Sequence, residues 1–238
     1  MIKNIPLNER IIFALDFAEP ETAKNWVKKL DKNIKFFKVG LQLFLAGSWP
    51  VIDFIKDRGN KVMLDLKFFD IPETVRLAVQ QLKDKQVDFA TIHGNDPIIK
   101  AAVKEKDKLK ILAVTVLTSF DESDMREMGF NKNVQDLVLI RAKKALLSGC
   151  DGIVSSPLEA SALRDEFGSN FFIVTPGIRP ALNNDIEKDD QRRITTAKQA
   201  IKNGADHVVI GRPISNSSDP IHTIEKLQDE ISESLNSL

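Results

Sequence analysis

The stretch MLDLKFFDIPET, residues 63–74, carries an apolar strand pattern into the start of a helix and places charge where the two meet. The run over 61–67 is rich in β-branched and large apolar residues, which favours a strand, and helical spacing follows over 74–84. Side chains alternate along a strand, so Asp65 and Lys67 point the same way. The segment therefore predicts one β/α unit with a charged strand end.

This β/α pattern recurs along the chain, with eight strand-like runs separated by helical segments. Several runs are apolar on both faces, which is typical of parallel strands covered by helices outside and by packed side chains inside. Eight units in 238 residues match a (β/α)8 TIM barrel. The predicted strands are 11–16, 36–40, 61–67, 89–94, 110–117, 152–156, 171–177 and 207–211, and the predicted helices are 21–31, 42–58, 74–84, 97–106, 134–149, 159–167, 195–204 and 220–235.

The other architecture that alternates strands and helices is a doubly wound open sheet. Such a sheet often carries a Gly-rich turn after its first strand, and this sequence has none there. No Ser/Gly-rich or highly charged block separates two halves, so we expect a single (β/α)8 barrel domain over residues 1–238. The loops 118–133 and 178–194 are longer than usual connections, and we predict that both are lids on the same face.

The composition narrows the class of ligand and the compartment. Lys and Arg number 34 and so do Asp and Glu, which offers no general attraction to nucleic acid and favours a small-molecule substrate. Cys150 is the only cysteine, so an intramolecular disulfide is excluded and a cytoplasmic setting is expected. No apolar run approaches the roughly 20 residues of a membrane span, and Met1 is not followed by a secretory signal pattern. Neither secretion nor a membrane is expected.

The unexpected polar residues of this sequence fall at the ends of the predicted strands. In a barrel, the carboxyl ends of the strands and the loops that follow them build the active site. Residues from at least seven strand ends are therefore expected to converge on one pocket. They are Asp16, Lys38, Asp65, Lys67, His93, Thr118, Ser119, Ser155, Ser156, Arg179, Gly211 and Arg212.

The third strand end carries the highest density of charge. Asp65 and Lys67 point toward the barrel axis, Asp70 follows in the turn, and Lys38 lies on the neighbouring strand, which predicts a chain of alternating charge. Ion pairs taken out of water seldom stabilise a fold better than apolar packing, so the array favours chemistry. An ordinary surface salt-bridge cluster is the alternative. Metal-ligand spacing is absent and Asp65 has a lysine two residues away, so a catalytic metal is not expected.

Two further strand-end residues have competing interpretations. Asp16 precedes the first predicted helix by several residues, so a ligand hydroxyl is a better partner for it than a helix cap. His93 lies between Thr91 and Gly94 at a strand end, where a histidine is more often structural than a base. We expect a supporting role for His93.

The motifs PGIR (176–179) and GRP (211–213) end the seventh and eighth predicted strands. Loops at these positions form the phosphate site of many barrels. Their glycines let backbone N–H groups approach an anion, and Arg179 and Arg212 can donate paired hydrogen bonds to its oxygens. A tight turn beside a solvated arginine would explain either motif alone. The two together predict a phosphorylated substrate.

With these residues in place, the sequence resembles the orotidine 5′-phosphate decarboxylase family, of the bacterial type. The resemblance spans nearly the whole chain, and the continuation Ile71-Pro72-Glu73-Thr74 with the two phosphate loops makes it specific, because related sugar-phosphate enzymes share Asp-x-Lys-x-x-Asp alone. The matching motifs are FALDF (13–17), FFKVG (36–40), LDLKFFDIPET (64–74), TIHG (91–94), VTVLTS (114–119), VTPGIRP (174–180), DDQRR (189–193) and VIGRPI (209–214).

The resemblance implies release of carbon dioxide from orotidine 5′-phosphate to give uridine 5′-phosphate, the last step of pyrimidine nucleotide synthesis, without metal or organic cofactor. It implies that Lys67 protonates the ring carbon, assisted by Asp65, Lys38 and Asp70, and that Asp70 lies against the departing carboxylate. It also implies a homodimer with shared sites, in which the second chain contributes Asp70, Ile71 and Thr74. The implied substrate-binding residues are Asp16 and Lys38 at the ribose, Thr118 at the pyrimidine, Arg179, Gln191, Gly211 and Arg212 at the phosphate, and the segment Asp65, Leu66, Lys67, Phe68, Phe69, Asp70, Ile71, Pro72, Glu73 and Thr74.

Two competing functions remain at this point. A magnesium-dependent 3-keto sugar-phosphate decarboxylase or hexulose-phosphate synthase would share the barrel and the Asp-x-Lys-x-x-Asp motif. A catalytically silent nucleotide-binding or regulatory protein is the alternative from another class. The intact Lys38, Asp65, Lys67 and Asp70 argue against the silent protein.

Overall fold

Eight parallel strands close into a barrel, in chain order, in the computed structural model, which describes residues 3–131, 133–179 and 193–237. Each strand pairs with the next one along the chain, and the eighth pairs with the first. This arrangement confirms the predicted (β/α)8 barrel. The strands are β1 Ile11–Ala14, β2 Phe36–Gly40, β3 Lys61–Phe68, β4 Phe89–Ile92, β5 Lys110–Val114, β6 Gly152–Val154, β7 Phe172–Thr175 and β8 His207–Ile210.

Helices follow the strands around the outside of the barrel. All eight predicted helices are present, with ends that differ by a few residues from the predicted ones. Three short helices, Leu7–Arg10, Glu122–Glu127 and Arg212–Ser215, were not predicted. The helices are α1 Leu7–Arg10, α2 Pro20–Leu30, α3 Leu41–Asp57, α4 Pro72–Gln80, α5 Asp96–Lys104, α6 Glu122–Glu127, α7 Val134–Leu147, α8 Ala160–Phe167, α9 Ala197–Lys202, α10 Arg212–Ser215 and α11 Pro220–Asn236, with a 3₁₀ turn at Lys83–Lys85.

The strands are apolar on both faces because each face has its own core. Outward side chains pack against the helices in one large cluster. Inward side chains form a second cluster that fills the barrel, made of Ile12, Ala14, Phe36, Met63, Phe89, Leu112, Val114, Val154, Val174 and Val209. At the amino ends of the strands, four rings whose centroids lie 5.0–5.8 Å apart close the barrel floor: Phe36, Phe89, Phe172 and His207. Apolar packing therefore occupies the lower part of the barrel.

Several strands end earlier than predicted, and they do so at their carboxyl ends. β1 ends at Ala14 rather than at Asp16, and β5 ends at Val114 rather than at 117. Single backbone bonds continue past these ends, as where the Leu15 N–H donates to the carbonyl of Lys38 at 3.0 Å. The polar residues of the predicted strand ends therefore lie mostly in the first turn of each loop.

The structure describes nearly all of the first long predicted loop but only the two ends of the second. The loop 118–133 contains α6, which begins with a capping box in which the Asp121 carboxylate accepts from the Asp124 N–H and the Asp124 carboxylate accepts from the Asp121 N–H. Most of the loop 178–194 lies outside the described residues. Its two ends meet in an isolated bridge, where the Arg179 N–H donates to the carbonyl of Thr195 at 2.9 Å.

Within the described ranges, the helices are all too short or too polar to cross a lipid bilayer.

Candidate active site

A cavity of about 280 Å³ opens at the carboxyl ends of the strands, above the apolar filling of the barrel. Its walls come from residues at or just beyond the ends of β1, β2, β3, β5, β6, β7 and β8. The convergence of strand ends predicted from the sequence is therefore present. The cavity brings together eight of the predicted substrate-site residues: Asp16, Lys38, Asp65, Lys67, Thr118, Arg179, Gly211 and Arg212.

Four of these side chains form a chain of alternating charge along one wall. Lys38 Nζ donates to Asp16 Oδ1 at 2.9 Å and lies 3.7 Å from Asp65 Oδ2. Lys67 Nζ donates to Asp65 Oδ1 at 3.0 Å. β2 and β3 pair in register, with Gly40 opposite Asp65, and this register brings the two lysines to the same carboxylate.

Lys38 and Asp65 stay charged although both side chains are largely buried, because oppositely charged groups surround each of them. Burial alone would lower the pKa of Lys38, but the carboxylates of Asp65 and Asp16 outweigh that effect and hold the pKa above its ordinary value. Burial alone would raise the pKa of Asp65, but the ammonium groups of Lys38 and Lys67 outweigh it and hold the pKa below its ordinary value. The four charged side chains on this wall of the cavity thus hold one another in position through their ion pairs.

The backbone at Lys67 is unusual. Its φ angle is +49°, in the left-handed region that a residue with a side chain seldom adopts. The pairing of β3 with β4 shifts register between Leu64 and Phe68, so the strand bulges at the residues that carry the charge. The Lys67 N–H donates to the hydroxyl of Thr91 at 2.9 Å, and that hydroxyl donates to Asp65 Oδ1 at 2.9 Å. Thr91 was not among the predicted site residues.

Other members of the predicted segment lie away from the cavity. The side chains of Leu66 and Phe68 pack against the core between the strands and the helices, because strand alternation turns them outward. Neither side chain lines the cavity, although both residues belong to the predicted substrate-binding segment. Phe69, Asp70, Ile71, Pro72, Glu73 and Thr74 are all exposed on the rim and do not line the cavity of their own chain.

Asp70 makes no ion pair with Lys67 inside one chain. Its carboxylate accepts a hydrogen bond from the N–H of Ile71 at 2.6 Å, at the residue before α4 begins. Phe69 and Ile71, on either side of it, are each 67% exposed, which is unusual for large apolar side chains. Glu73 pairs with Arg76 on α4 rather than with a group in the cavity. The rim after β3 therefore presents two exposed apolar side chains, Phe69 and Ile71, on either side of the Asp70 carboxylate.

The opposite wall carries the predicted phosphate residues. Gly177 has a φ angle of +81°, a conformation that glycine adopts without strain, and it turns the chain at the end of β7. Gly211 lies directly before α10, and a Cβ there would come within 3.2 Å of the Ala14 Cβ. Arg179 and Arg212 both line the cavity. Gln191, the remaining predicted phosphate residue, lies outside the described residues.

A buried ion pair behind this wall was not predicted. Arg193 pairs with Glu159, next to the start of α8, and donates to the carbonyl of Leu117 at 3.0 Å. Burial raises the pKa of Glu159 although Arg193 opposes that change. The pair connects the loops after β5 and β6 with the segment that precedes α9. Arg193 belongs to the DDQRR motif, but no pattern in the sequence links it to a residue 34 positions away.

The other polar strand-end residues have local roles. His93 is half-buried beside Phe69, with ring centroids 5.4 Å apart, and burial together with the charge of Arg141 lowers its pKa. Ser155 and Ser156 are buried, and the Ser156 hydroxyl accepts from the Leu158 N–H at 3.1 Å. Neither the histidine nor the two serines line the cavity.

Among the residues that the structure describes, no group of three or more His, Cys, Asp or Glu side chains is arranged to hold a metal ion.

Comparisons with known proteins agree with this geometry. The family model described as orotidine 5′-phosphate decarboxylase / HUMPS family matches residues 9–227. The orotidine 5′-phosphate decarboxylase of Methylococcus capsulatus is 49% identical over 96% of this chain and 94% of its own length, and that of Rhodopseudomonas palustris is 42% identical over 97% and 98%. A crystal structure of the Lactobacillus acidophilus orotidine 5′-phosphate decarboxylase superposes with a TM-score of 0.82 and 35% identity, covering 94% of this chain and 99% of that one. The chain belongs to the orotidine 5′-phosphate decarboxylase / HUMPS family.

Proposed function

We propose that this chain is a carboxy-lyase that converts orotidine 5′-phosphate to uridine 5′-phosphate, the last step of de novo pyrimidine nucleotide synthesis. The observation that carries the proposal is the cavity with the Lys38–Asp65–Lys67 array on one wall and two arginines on the other. Such a cavity suits a substrate with a phosphate at one end and a developing negative charge at the other. The relatives that span nearly the whole chain carry the same enzyme name.

In the proposed reaction, Lys67 is the proton donor. Loss of carbon dioxide leaves a carbanion in the plane of the pyrimidine ring, where no π system can receive the charge. Catalysis therefore requires a fixed cation that stabilises charge in the transition state more than in the ground state. Lys67 Nζ, held by Asp65 Oδ1 at 3.0 Å, supplies that cation and then the proton.

The remaining groups bind and orient the substrate. Asp16 and Lys38 hold the ribose hydroxyls, and Thr118 faces the pyrimidine. Arg179, Gln191, Gly211 and Arg212 bind the phosphate. Binding energy from the phosphate, which is remote from the reacting carbon, contributes to holding the ring against Lys67.

We further propose that the working unit is a cytoplasmic homodimer with shared sites. The exposed apolar rim at Phe69 and Ile71 offers a surface for a second copy, and Asp70 between them does not line the cavity of its own chain. In a dimer built on this rim, Asp70 and Thr74 reach the partner's cavity, and Asp70 completes the charged chain beside Lys67. The only cysteine, Cys150, is a buried free thiol, as suits a reducing compartment.

The reaction is tested by following the loss of orotidine 5′-phosphate absorbance with the purified chain, with and without a metal chelator. We expect turnover in both conditions. Turnover that disappears with chelator and returns with magnesium would indicate the metal-dependent branch of the family instead. No turnover in either condition would contradict the proposed reaction.

The shared site is tested by mixing two inactive variants, Lys67→Ala and Asp70→Ala. Random exchange of subunits leaves half of the dimers mixed, and each mixed dimer has one site with both defects and one with neither. Recovery of about a quarter of the wild-type activity is therefore expected at equal amounts. If verified subunit exchange returns no activity, Lys67 and Asp70 act within one chain. The matched control is the Lys67→Ala variant alone, taken through the same mixing and exchange procedure.

A further inference from the structure

Thr91 lies at the centre of the β3 bulge that carries Asp65 and Lys67. It is fully buried at the carboxyl end of β4, and its hydroxyl contacts both neighbours, accepting from the Lys67 N–H and donating to Asp65 Oδ1, each at 2.9 Å. We propose that Thr91 is a positioning residue that sets the geometry of the proton donor. The proposal rests on the proposed function and concerns how this chain holds its reacting group.

The register of β3 against β4 shows which residues the Thr91 hydroxyl supports. Leu64 lies opposite Ala90 and Phe68 lies opposite Ile92, so Asp65, Leu66 and Lys67 together face Thr91 alone. In an uninterrupted parallel sheet, a backbone N–H such as that of Lys67 donates to a backbone carbonyl of a neighbouring strand. Here a side-chain hydroxyl accepts it. Thr91 therefore stabilises the two extra residues that bring the charged groups to the mouth of the barrel.

The direction of both hydrogen bonds follows from the chemistry of the groups. A backbone N–H only donates, and an ionised carboxylate only accepts, so the single hydroxyl proton must point at Asp65. Asp65 Oδ1 then receives two donors, the Thr91 hydroxyl and Lys67 Nζ. One oxygen thus links the backbone position of Lys67 to the position of its ammonium group.

The left-handed backbone of Lys67 makes this support necessary. A φ of +49° costs about 1–2 kcal/mol for a residue with a side chain and persists only where neighbouring contacts impose it. The hydrogen bond to Thr91 is the contact made by the N–H of that residue. Without the hydroxyl, the bulge is free to relax and to carry Nζ away from the reacting carbon.

The direct test is Thr91→Val, which keeps the shape of the side chain and removes the hydroxyl. A displacement of the donor by about 1 Å costs on the order of 100-fold in the chemical step, so we expect kcat to fall about 10- to 100-fold. The affinity for uridine 5′-phosphate should stay within about threefold, because the phosphate and ribose contacts lie elsewhere. Thr91→Ser retains the hydroxyl and should restore kcat to within about threefold of wild type.

Thr175→Val is the matched control. Thr175 is equally buried, at the end of β7, and its hydroxyl has no hydrogen-bond partner among the described residues. We expect no change in kcat for this variant. Equal losses of kcat in the two valine variants, equal losses of kcat and product affinity in Thr91→Val, or failure of serine to restore kcat would each overturn the positioning role.

A second measurement separates this inference from the proposed reaction. Native-state hydrogen exchange of the Lys67 amide, followed by NMR, should be at least about 10-fold faster in Thr91→Val than in wild type and unchanged in Thr175→Val. An unchanged Lys67 amide would overturn the inference even if the enzyme is active. If wild type fails to decarboxylate orotidine 5′-phosphate, the proposed reaction fails, while the exchange result still decides whether Thr91 holds the bulge.

Discussion

The two ends of the barrel both combine a cavity with many charged side chains, yet they use the charges differently. The cavity at the amino ends of the strands is the larger, about 860 Å³ against about 280 Å³, and six lysines line it. Its carboxylates hold the fold together: Asp88 pairs with Lys56 and also accepts from the Val62 N–H at 2.8 Å. At the carboxyl ends, the side chain of Asp65 accepts only from other side chains.

This contrast indicates which feature marks a reaction site. Cavity volume and the number of lysines favour the amino end, but there the Asp88 carboxylate accepts from the backbone N–H of Val62 near the start of β3 and is already engaged in holding that strand. Asp151 repeats the arrangement, since it pairs with Lys106 and accepts from the Ile111 N–H at 2.9 Å. A charged group that no backbone group requires, as at Asp65, is retained at a cost to stability and is a better indicator of function.

The largest expected difference between the two ends concerns lysine removal. Lys67→Ala should lower kcat by at least about 10³-fold while the protein still folds, because it deletes the proposed proton donor from a half-buried position. Lys110→Ala, on the amino-end cavity, removes only a 3.7 Å pair with Asp151 and should leave kcat within about twofold. Steady-state kinetics and circular dichroism check both variants. Similar losses in the two would remove the distinction between the ends.

A smaller effect is expected at the cavity wall that carries Arg212, the proposed phosphate site. Arg212→Ala should cost about 2–4 kcal/mol of transition-state stabilisation for orotidine 5′-phosphate, which lowers kcat/KM roughly 30- to 1000-fold. Orotidine without its phosphate should react almost equally well with the variant and with wild type, because Arg212 then has no anion to bind. Equal losses for the two substrates would show that Arg212 supports the fold or the ring instead.

The smallest expected effect concerns the barrel floor and appears only as a pH dependence of stability. Burial lowers the pKa of His207 to about 4, and its Nδ1 lies 2.9 Å from the Glu9 carbonyl oxygen. The unfolded chain takes up the proton near pH 6.5, and the folded chain takes it up only near pH 4. The contribution of neutral His207 to the free energy of unfolding is therefore fully present above pH 6.5 and is lost as the pH falls from 6.5 to 4. Between pH 7 and pH 5 the loss is about 2 kcal/mol.

His207→Asn tests this assignment, because its amide can donate to the same carbonyl but does not titrate. The free energy of unfolding, measured with urea at pH 7 and pH 5, should fall less in the variant than in wild type. The same drop in both proteins would place the acid sensitivity elsewhere, for example at Asp65, whose lowered pKa also favours the folded state at higher pH.

The sequence was sufficient to predict the barrel and most of the cavity. Two-residue alternation and repeated β/α spacing do not depend on distant contacts, so the eight strands and the charged end of β3 could be predicted from local pattern alone. Asp65 and Lys67 were identifiable because charge is unexpected in an apolar strand.

The remaining features depend on contacts that local pattern does not encode. Thr91 looks like an ordinary β-branched strand residue, and its role depends on a register shift in the neighbouring strand. Glu159 and Arg193 are joined only by the folded chain. The helix α10 has four residues, too few to show a helical period. Leu66 and Phe68 were assigned to the substrate with the whole motif, although alternation along the strand turns them outward.

The aromatic floor limits the routes by which small molecules can enter and leave the cavity. It is formed by Phe36, Phe89, Phe172 and His207. Together with Met63 and Leu112 above it, the floor fills the barrel axis among the described residues. On the proposed reaction, carbon dioxide formed beside Lys67 therefore has to depart through the same opening by which the nucleotide arrived. Carbon dioxide therefore leaves either past the bound nucleotide product or only after that product has dissociated.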